Sequence, residues 1–312
     1  MYAVETIGLT KKYGKKTDAL RGLNFTVDQG EIMVILGPNG SGKTTLLMIL
    51  CTILKPTSGT AKVMGLDVVQ EGTKVREVMG IAFQEARGFW RHKPYHILSF
   101  HAGIYGIGGS ERRKMVDETL KAFDLWPSRN KRFMELSGGQ GKRLEVAKLF
   151  IQRPAVAIFD EPTAMVDLEG KRMIWDKIKE LRDGGSTVVI ATNEVREAEY
   201  LADRLTIMKQ GKDVVTQSLR ALKDSISGGD IVEVQFSSPT TPAIVQALNA
   251  VPGTVRVLQD TDDSLKVYVN RSEDWLPTMM AAMQQLQAKV TSIRVTEPSL
   301  DDVFLHYTEV VV

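Results

Sequence analysis

The string GPNGSGKTT, from Gly37 to Thr45, fits the pattern G-x-x-x-x-G-K-[ST], with Gly37, Gly42, Lys43 and Thr44 at the fixed positions. Pro38, Asn39, Gly40 and Ser41 fill the middle of the loop, and Thr45 follows it. In such a loop successive backbone N–H groups converge on phosphate oxygens, and glycine keeps a Cβ out of their approach. The lysine adds a point charge, and a following helix N-terminus adds roughly half a charge more. The apolar run Glu31–Leu36 precedes the loop and a helix-like stretch, Thr45–Leu54, follows it. That strand–loop–helix setting is the one this chemistry requires. A bound nucleotide is the expectation.

A second glycine-rich string, LSGGQ, spans Leu136–Gln140 and opens a helical pattern with apolar positions at Leu144, Ala147 and Ile151. Ser137 is a natural N-cap, and Gly138–Gly139 let the backbone approach an anion. A chain with two phosphate-binding elements so far apart can close around ATP as a head-to-tail pair. The string AVAIFDEPTA, Ala155–Ala164, is an apolar strand that ends in Asp160 and Glu161. Asp160 is placed to hold Mg²⁺ beside Thr44, and Glu161, one residue on, to act as general base on an attacking water. The alternative is a pair of solvated carboxylates at a strand end.

With 312 residues, 43% of them hydrophobic, the chain is long enough for two domains with real cores. One cysteine, Cys51, cannot make an internal disulfide, and no histidine lies near it in sequence, so it reads as a small buried apolar residue. The opening MYAVETIGLTKK lacks the apolar core of a signal peptide, and no apolar run approaches membrane-spanning length. A soluble intracellular protein is expected. Net charge is +2, but from Leu222 onward 6 Lys+Arg stand against 12 Asp+Glu, leaving the earlier part basic. That excess is too diffuse to argue for nucleic acid; it suits nucleotide or an anionic membrane surface, or an ordinary solvated surface.

The charge shift puts a boundary near Ala221. The first domain, 1–221, alternates apolar runs with helical patterns, as expected of a parallel sheet covered by helices. Its candidate core strands are Ile32–Leu36, Val78–Phe83, Val156–Phe159 and Thr187–Ala191. Residues 85–135 read as an inserted helical subdomain. Its cluster of Phe89, Trp90, Arg91, His92 and Tyr95 is either a docking surface or ordinary packing. The second domain, 229–312, reads β-α-β-β-α-β, the order of a small ferredoxin-like fold. Its strands are expected at Ile231–Phe236, Thr254–Leu258, Leu265–Val269 and Thr291–Val295, with helices over Pro242–Val251 and Trp275–Gln287. EPSLDDVFLHYT begins a last helix at Pro298–Ser299. A structural, regulatory or dimerisation role is expected for it.

Over about Met1–Gln217 these strings resemble those of the ATP-binding-cassette (ABC) ATPases. The resemblance implies an α/β phosphate-loop cassette with an antiparallel β subdomain beside the parallel core, and a function as the ATP-hydrolysing subunit of a membrane transporter. Tyr13 resembles the aromatic residue that stacks on adenine. Gln84 looks like the glutamine that links Mg²⁺ and the attacking water to the membrane partner. Asp167, in AMVD, resembles the aspartate that couples the two sites of a dimer. ATP would lie between the phosphate loop of one subunit and Ser137, Gly138, Gly139 and Gln140 of the other. The implied partners are transmembrane permease subunits at the cytoplasmic face of the membrane and a second cassette, identical or different. EPSLDDVF resembles the C-terminal extension of bacterial and archaeal exporter ATPases of the ABC-2 type.

One position departs from the family. Asn193 stands where a histidine usually contacts the γ-phosphate, and the chain's histidines are His92, His96, His101 and His306. Asparagine donates a neutral hydrogen bond but carries no charge and relays no proton. Asn193 therefore either substitutes adequately or slows hydrolysis, and the second case would make the chain an ATP-dependent dimerisation switch. A soluble ABC ATPase of DNA repair or translation fits less well, because the long coiled-coil or zinc insertions of the first and the paired cassettes of the second are missing from this sequence.

Overall fold

The computed structural model describes residues 2–14, 17–85, 90–225, 230–296 and 299–309. The chain divides into two compact units, Met1–Gln217 and Ser218–Val312. The division precedes the expected boundary at Ala221, because the helix Leu219–Ser225 falls in the second unit, where it meets the helix Leu300–Glu309 and its Leu222 is buried.

A six-stranded sheet forms the centre of the first unit, in the order Lys212–Ser218, Arg204–Lys209, Ile32–Leu36, Thr187–Thr192, Val156–Asp160, Met79–Ala82. From Arg204–Lys209 to Met79–Ala82 all neighbours run parallel. Every residue of Ile32–Leu36, Val156–Asp160 and Thr187–Thr192 is buried, which is why these strands read as unbroken apolar runs rather than as alternation. A parallel register puts all their carboxyl ends on one edge. Leu36 lies beside Thr192, Asp160 beside Ala191 and Ala82 beside Phe159. The residues that follow these four strands, near 37, 84, 161 and 193, are thereby neighbours although far apart in sequence. Open α/β sheets bind ligands at this edge.

Several elements differ from the expectation. The helix after the phosphate loop is Lys43–Leu50, starting and ending earlier than Thr45–Leu54, and Cys51 closes it with Thr52 at φ 61. Val78 completes the helix Gly72–Val78, so the strand expected from Val78 is Met79–Ala82. Arg204–Lys209 is a core strand that the sequence reading did not pick out; its buried Thr206 shares a hydrogen bond with Thr216 at 2.8 Å. The long strands Tyr2–Tyr13 and Thr17–Asp28 pair antiparallel, with Ser58–Val63 and Leu66–Asp67 completing a four-stranded sheet.

Helices Pro94–Ile104 and Gly109–Ala122 occupy the 85–135 stretch and pack on Gly138–Gln152. Of the aromatic cluster there, Phe89 lies outside the described residues, and Trp90 is 74% exposed.

In the second unit the strands order as Thr254–Thr261, Ser264–Val269, Asp230–Phe236, Val290–Thr296, all antiparallel. With helices Pro242–Ala250 and Ser272–Gln285 this is the ferredoxin-like β-α-β-β-α-β arrangement. Trp275, Met279, Ile244 and Leu248 from the helices pack on Val232, Val234 and Val267 of the sheet. Pro298 lies outside the described residues; Ser299 and Asp302 exchange hydrogen bonds at the start of the last helix, and Tyr268 donates to Asp302 at 2.8 Å.

Candidate functional site

The phosphate loop turns where only glycine fits. Gly40 and Gly42 have φ of 80° and 106°, and a Cβ on Gly37 would collide with the Met208 carbonyl and Ser41 Oγ. The loop is tied to the sheet edge, Gly37 N–H donating to the Thr192 carbonyl and Gly211 N–H to the Ser41 carbonyl. Ser41 Oγ is buried with no hydrogen-bond partner among the described residues. Lys43 is buried, and its ammonium donates to the carbonyls of Gly37 and Pro38 at 2.7 and 3.2 Å. Burial pulls its pKa down, against the attraction of Glu161 and Asp160.

A cleft of ≈ 530 Å³ brings Tyr13, Asn39, Gly40, Gly42, Lys43, Thr44, Thr45, Gln84 and Glu161 to one surface. Thr17, Asp18 and Ala19 complete its wall. The sequence reading missed these three, which carry no motif and arrive through the pairing of Tyr13 with Thr17. Thr44 Oγ1 lies 3.3 Å from Asp160 Oδ1, a hydroxyl and a carboxylate side by side. Hard oxygen donors of this kind suit Mg²⁺, which takes one or two protein oxygens and completes its shell with phosphates and water. Asp160 is buried, and burial raises its carboxyl pKa, opposed by the Thr44 hydrogen bond and the Lys43 and Lys142 ammoniums. Gln84 Nε2 donates to Glu161 Oε2 at 2.9 Å, a contact between two residues that the sequence reading assigns separately. Glu161 itself sits at φ 46, and its N–H is held by the Ala191 carbonyl at 2.8 Å. A non-glycine residue in that region is strained, and strain of this sort collects at functional positions. Asn193 Nδ2 donates to Asn39 Oδ1 of the loop at 3.2 Å, so its side chain reaches the same edge.

The second glycine string lies elsewhere. Ser137, Gly138 and Gly139 line a separate cleft of ≈ 440 Å³ with Asp167, Arg143 and Met165, and none of them lines the cleft of the phosphate loop. Ser137 caps the helix Gly138–Gln152, accepting from Gln140 N–H at 3.2 Å. Gln140 completes a capping box: its Oε1 accepts from Ser137 N–H and its Nε2 donates to Ser128 Oγ at 3.1 Å. The amide expected to meet nucleotide is thus engaged within the helix cap. Asp167 caps the next helix, Leu168–Asp183, accepting from Gly170 N–H at 2.8 Å. Two residues before it, Met165 is 98% exposed with φ 60, an apolar side chain presented outward beside the second cleft. Cys51 is buried, its thiol pushed up to about 12 by that burial and by the Asp160 carboxylate.

Comparisons with known proteins bear on the family and the fold. Residues 20–164 match the ABC transporter family, and residues 218–308 match the family described as ATP-binding protein DrrA1-3-like, C-terminal domain. Over 98% of its length the chain is 34% identical to the daunorubicin resistance ATP-binding protein DrrA3 of Streptomyces coeruleorubidus, covering 96% of that protein. It is 26% identical to the linearmycin resistance ATP-binding protein LnrL of Bacillus subtilis, over 96% of each chain. Among solved structures, the ATP-binding cassette MJ0796 bound to ADP and Pi, a dimer, superposes with a TM-score of 0.65 at 30% identity, covering 70% of this chain and 99% of that one. CbiO1 of Clostridium perfringens superposes with a TM-score of 0.63 at 31% identity, covering 72% and 91%.

Proposed function

The chain belongs to the ATP-binding-cassette transporter ATPases and is the ATP-hydrolysing subunit of such a transporter; from that premise we propose how its residues divide the work. Tyr13 stacks on the adenine. The loop Gly37–Thr45 wraps the phosphates, with Lys43 as the point charge at the β/γ-phosphates. Thr44, Asp160 and Gln84 would hold Mg²⁺. When bound, the ion would neutralise charge on the transferring phosphoryl group. Glu161 accepts the proton of the attacking water, and Gln84, bonded to Glu161 Oε2, holds that carboxylate in its orientation. Asn193 donates to the γ-phosphate.

One observation carries the dimer reading. The chain keeps Lys43, Thr44 and Glu161 in one cleft and Gly139 and Asp167 in another, while Gln84 also borders a third cleft with Ser137 and Gly138. Each of the first two clefts holds half of an ATP site, and two chains placed head to tail supply both halves twice. ATP-driven closure then moves a transmembrane partner, from the cytoplasmic face of the membrane. No helix of the described residues is long and apolar enough to cross a membrane, so that partner would carry the path. The relatives named for daunorubicin and linearmycin resistance suggest a drug-like cargo moved outward. The unit Ser218–Val312 contains neither glycine string, and we assign it a regulatory or dimerisation role.

Glu161→Gln tests this reading, because it removes the base and keeps the hydrogen-bonding shape. ATP binding should persist, turnover should stop, and a dimer should elute from size exclusion in Mg-ATP. Unchanged hydrolysis with monomer alone would sink both the base assignment and the dimer. A second reading, a slow ATP-dependent switch, is favoured by Asn193 and its neutral contact to Asn39; a turnover far below that of a histidine variant would support it.

A further inference from the structure

Lys142 is buried two residues past the second glycine string, and nothing in the proposed chemistry uses it. Its ammonium donates to the Glu161 carbonyl at 2.8 Å and to the Phe83 carbonyl at 3.4 Å. Those two carbonyls belong to the general base and to the residue immediately before Gln84. A buried lysine is costly unless paired, and Lys142 has the carboxylates of Asp160, Glu145, Glu161 and Glu197 around it.

The surrounding helix makes this contact a firm one. Along Gly138–Gln152, positions 142, 145, 149 and 152 share a face by helical spacing. Gln152 Nε2 donates to the Met79 carbonyl at 2.6 Å, at the start of the strand Met79–Ala82. A Cβ on Gly80 would strike Gln152 and Leu149, so the helix lies directly on that strand. At the strand's other end the Phe83 backbone N–H faces the Glu145 carboxylate, and its carbonyl faces Lys142. The Phe83 carbonyl is therefore tied to this one helix, the helix that Ser137 caps.

We propose that Lys142 is a positioning residue for hydrolysis, which locks the helix of the second glycine string to the backbone of both Gln84's neighbour and Glu161. Its bond to the Glu161 carbonyl holds that residue in its strained φ of 46°, and so aims the carboxylate at the water position. The bond to Phe83 keeps Gln84 within 2.9 Å of Glu161. Lys142 does not line the cleft of the phosphate loop. The inference rests on Glu161 being the base.

The test compares the full chain with Lys142→Met, which keeps the aliphatic stem and removes the donor, and with Lys142→Gln, which restores one neutral donor. A 1 Å misplacement of a reacting group costs on the order of 10²-fold in rate, so kcat for ATP should fall about 10- to 100-fold in Lys142→Met. KM for ATP and the Kd for ADP should stay within about twofold, because the phosphate loop is untouched. Lys142→Gln should recover part of the loss. Gln84→Ala should add little to Lys142→Met, since both act on the same carboxylate. A kcat within twofold of the parent in both variants would overturn the proposal. So would a joint loss of folding and ADP binding in both, which would make Lys142 a structural residue only. Glu161→Gln run in parallel separates the premise from the inference: if it retains turnover, the base assignment fails whatever Lys142 does.

Discussion

Replacing Asn193 by histidine probes the one place where this chain leaves its family's pattern. The parallel register that sets Leu36 beside Thr192 delivers residue 193 to the phosphate loop, where its Nδ2 meets Asn39 Oδ1 at 3.2 Å. An amide there offers a phosphate oxygen a neutral hydrogen bond, worth about 0.5–1.5 kcal/mol net, whereas an imidazolium offers a charge-assisted one of about 1.5–3 kcal/mol. The difference is reduced by the lost contact to Asn39. It is also reduced by titration, since an unperturbed histidine is only about a quarter protonated at pH 7. Both effects leave a net gain of at most about 1 kcal/mol, or up to roughly fivefold. The gain belongs in kcat rather than in ATP affinity, because negative charge at the γ-phosphate grows towards the transition state. It should also be larger at pH 6 than at pH 8, as the histidine loses its proton while pH rises through about 6.5. Steady-state hydrolysis by the full chain, measured across that range with KM resolved from kcat, gives both signatures. Unchanged or lower turnover at every pH would refute the reasoning: the neighbourhood would then be adapted to asparagine, or the side chain would act on Asn39 alone.

Two further outcomes follow from burial and from the division of the chain. At pH 8 a thiol held at about 12 is ionised to only about one part in 10⁴, whereas at its ordinary 9.0 it is about one-tenth ionised. Because the thiolate is the nucleophile, Cys51 should be alkylated by iodoacetamide at least about 10³-fold more slowly in the folded chain than in denaturant; equal rates by mass spectrometry would mean that it is not buried. A chain ending at Gln217 keeps the whole first unit, both clefts included, and should bind ADP within about threefold of the full chain. Loss of ADP binding by calorimetry, with helical content preserved, would mean that the second unit completes the nucleotide site.

How far the sequence revealed all this depends on how local each feature is. The phosphate loop is read from one short string because its ligands are its own backbone N–H groups, and the three fully buried strands are read because two-sided burial confines their polar residues to the strand ends. Arg204–Lys209 is equally central, yet charged ends and Thr206 break its apolar run; the structure satisfies that hydroxyl with Thr216, a partner on the following strand. Gln140 shows the reverse case. The pattern Ser-x-x-Gln of a capping box was present at Ser137–Gln140, and weighing it would have assigned the glutamine side chain to the cap. Lys142 left no such signal, since between Gly141 and Arg143 it reads as part of a solvated basic pair, and its partners Phe83 and Glu161 come from two other segments. What did carry across the whole edge is simpler: Gly37, Gln84, Glu161 and Asn193 each stand within two residues of the end of a parallel strand. The fifth such position, Gln210 after Arg204–Lys209, forms a turn at φ 49 and lines neither cleft. Strand ends therefore nominate candidates, and hydrogen-bond geometry, as between Gln84 and Glu161, separates the chemical ones from those that only turn the chain.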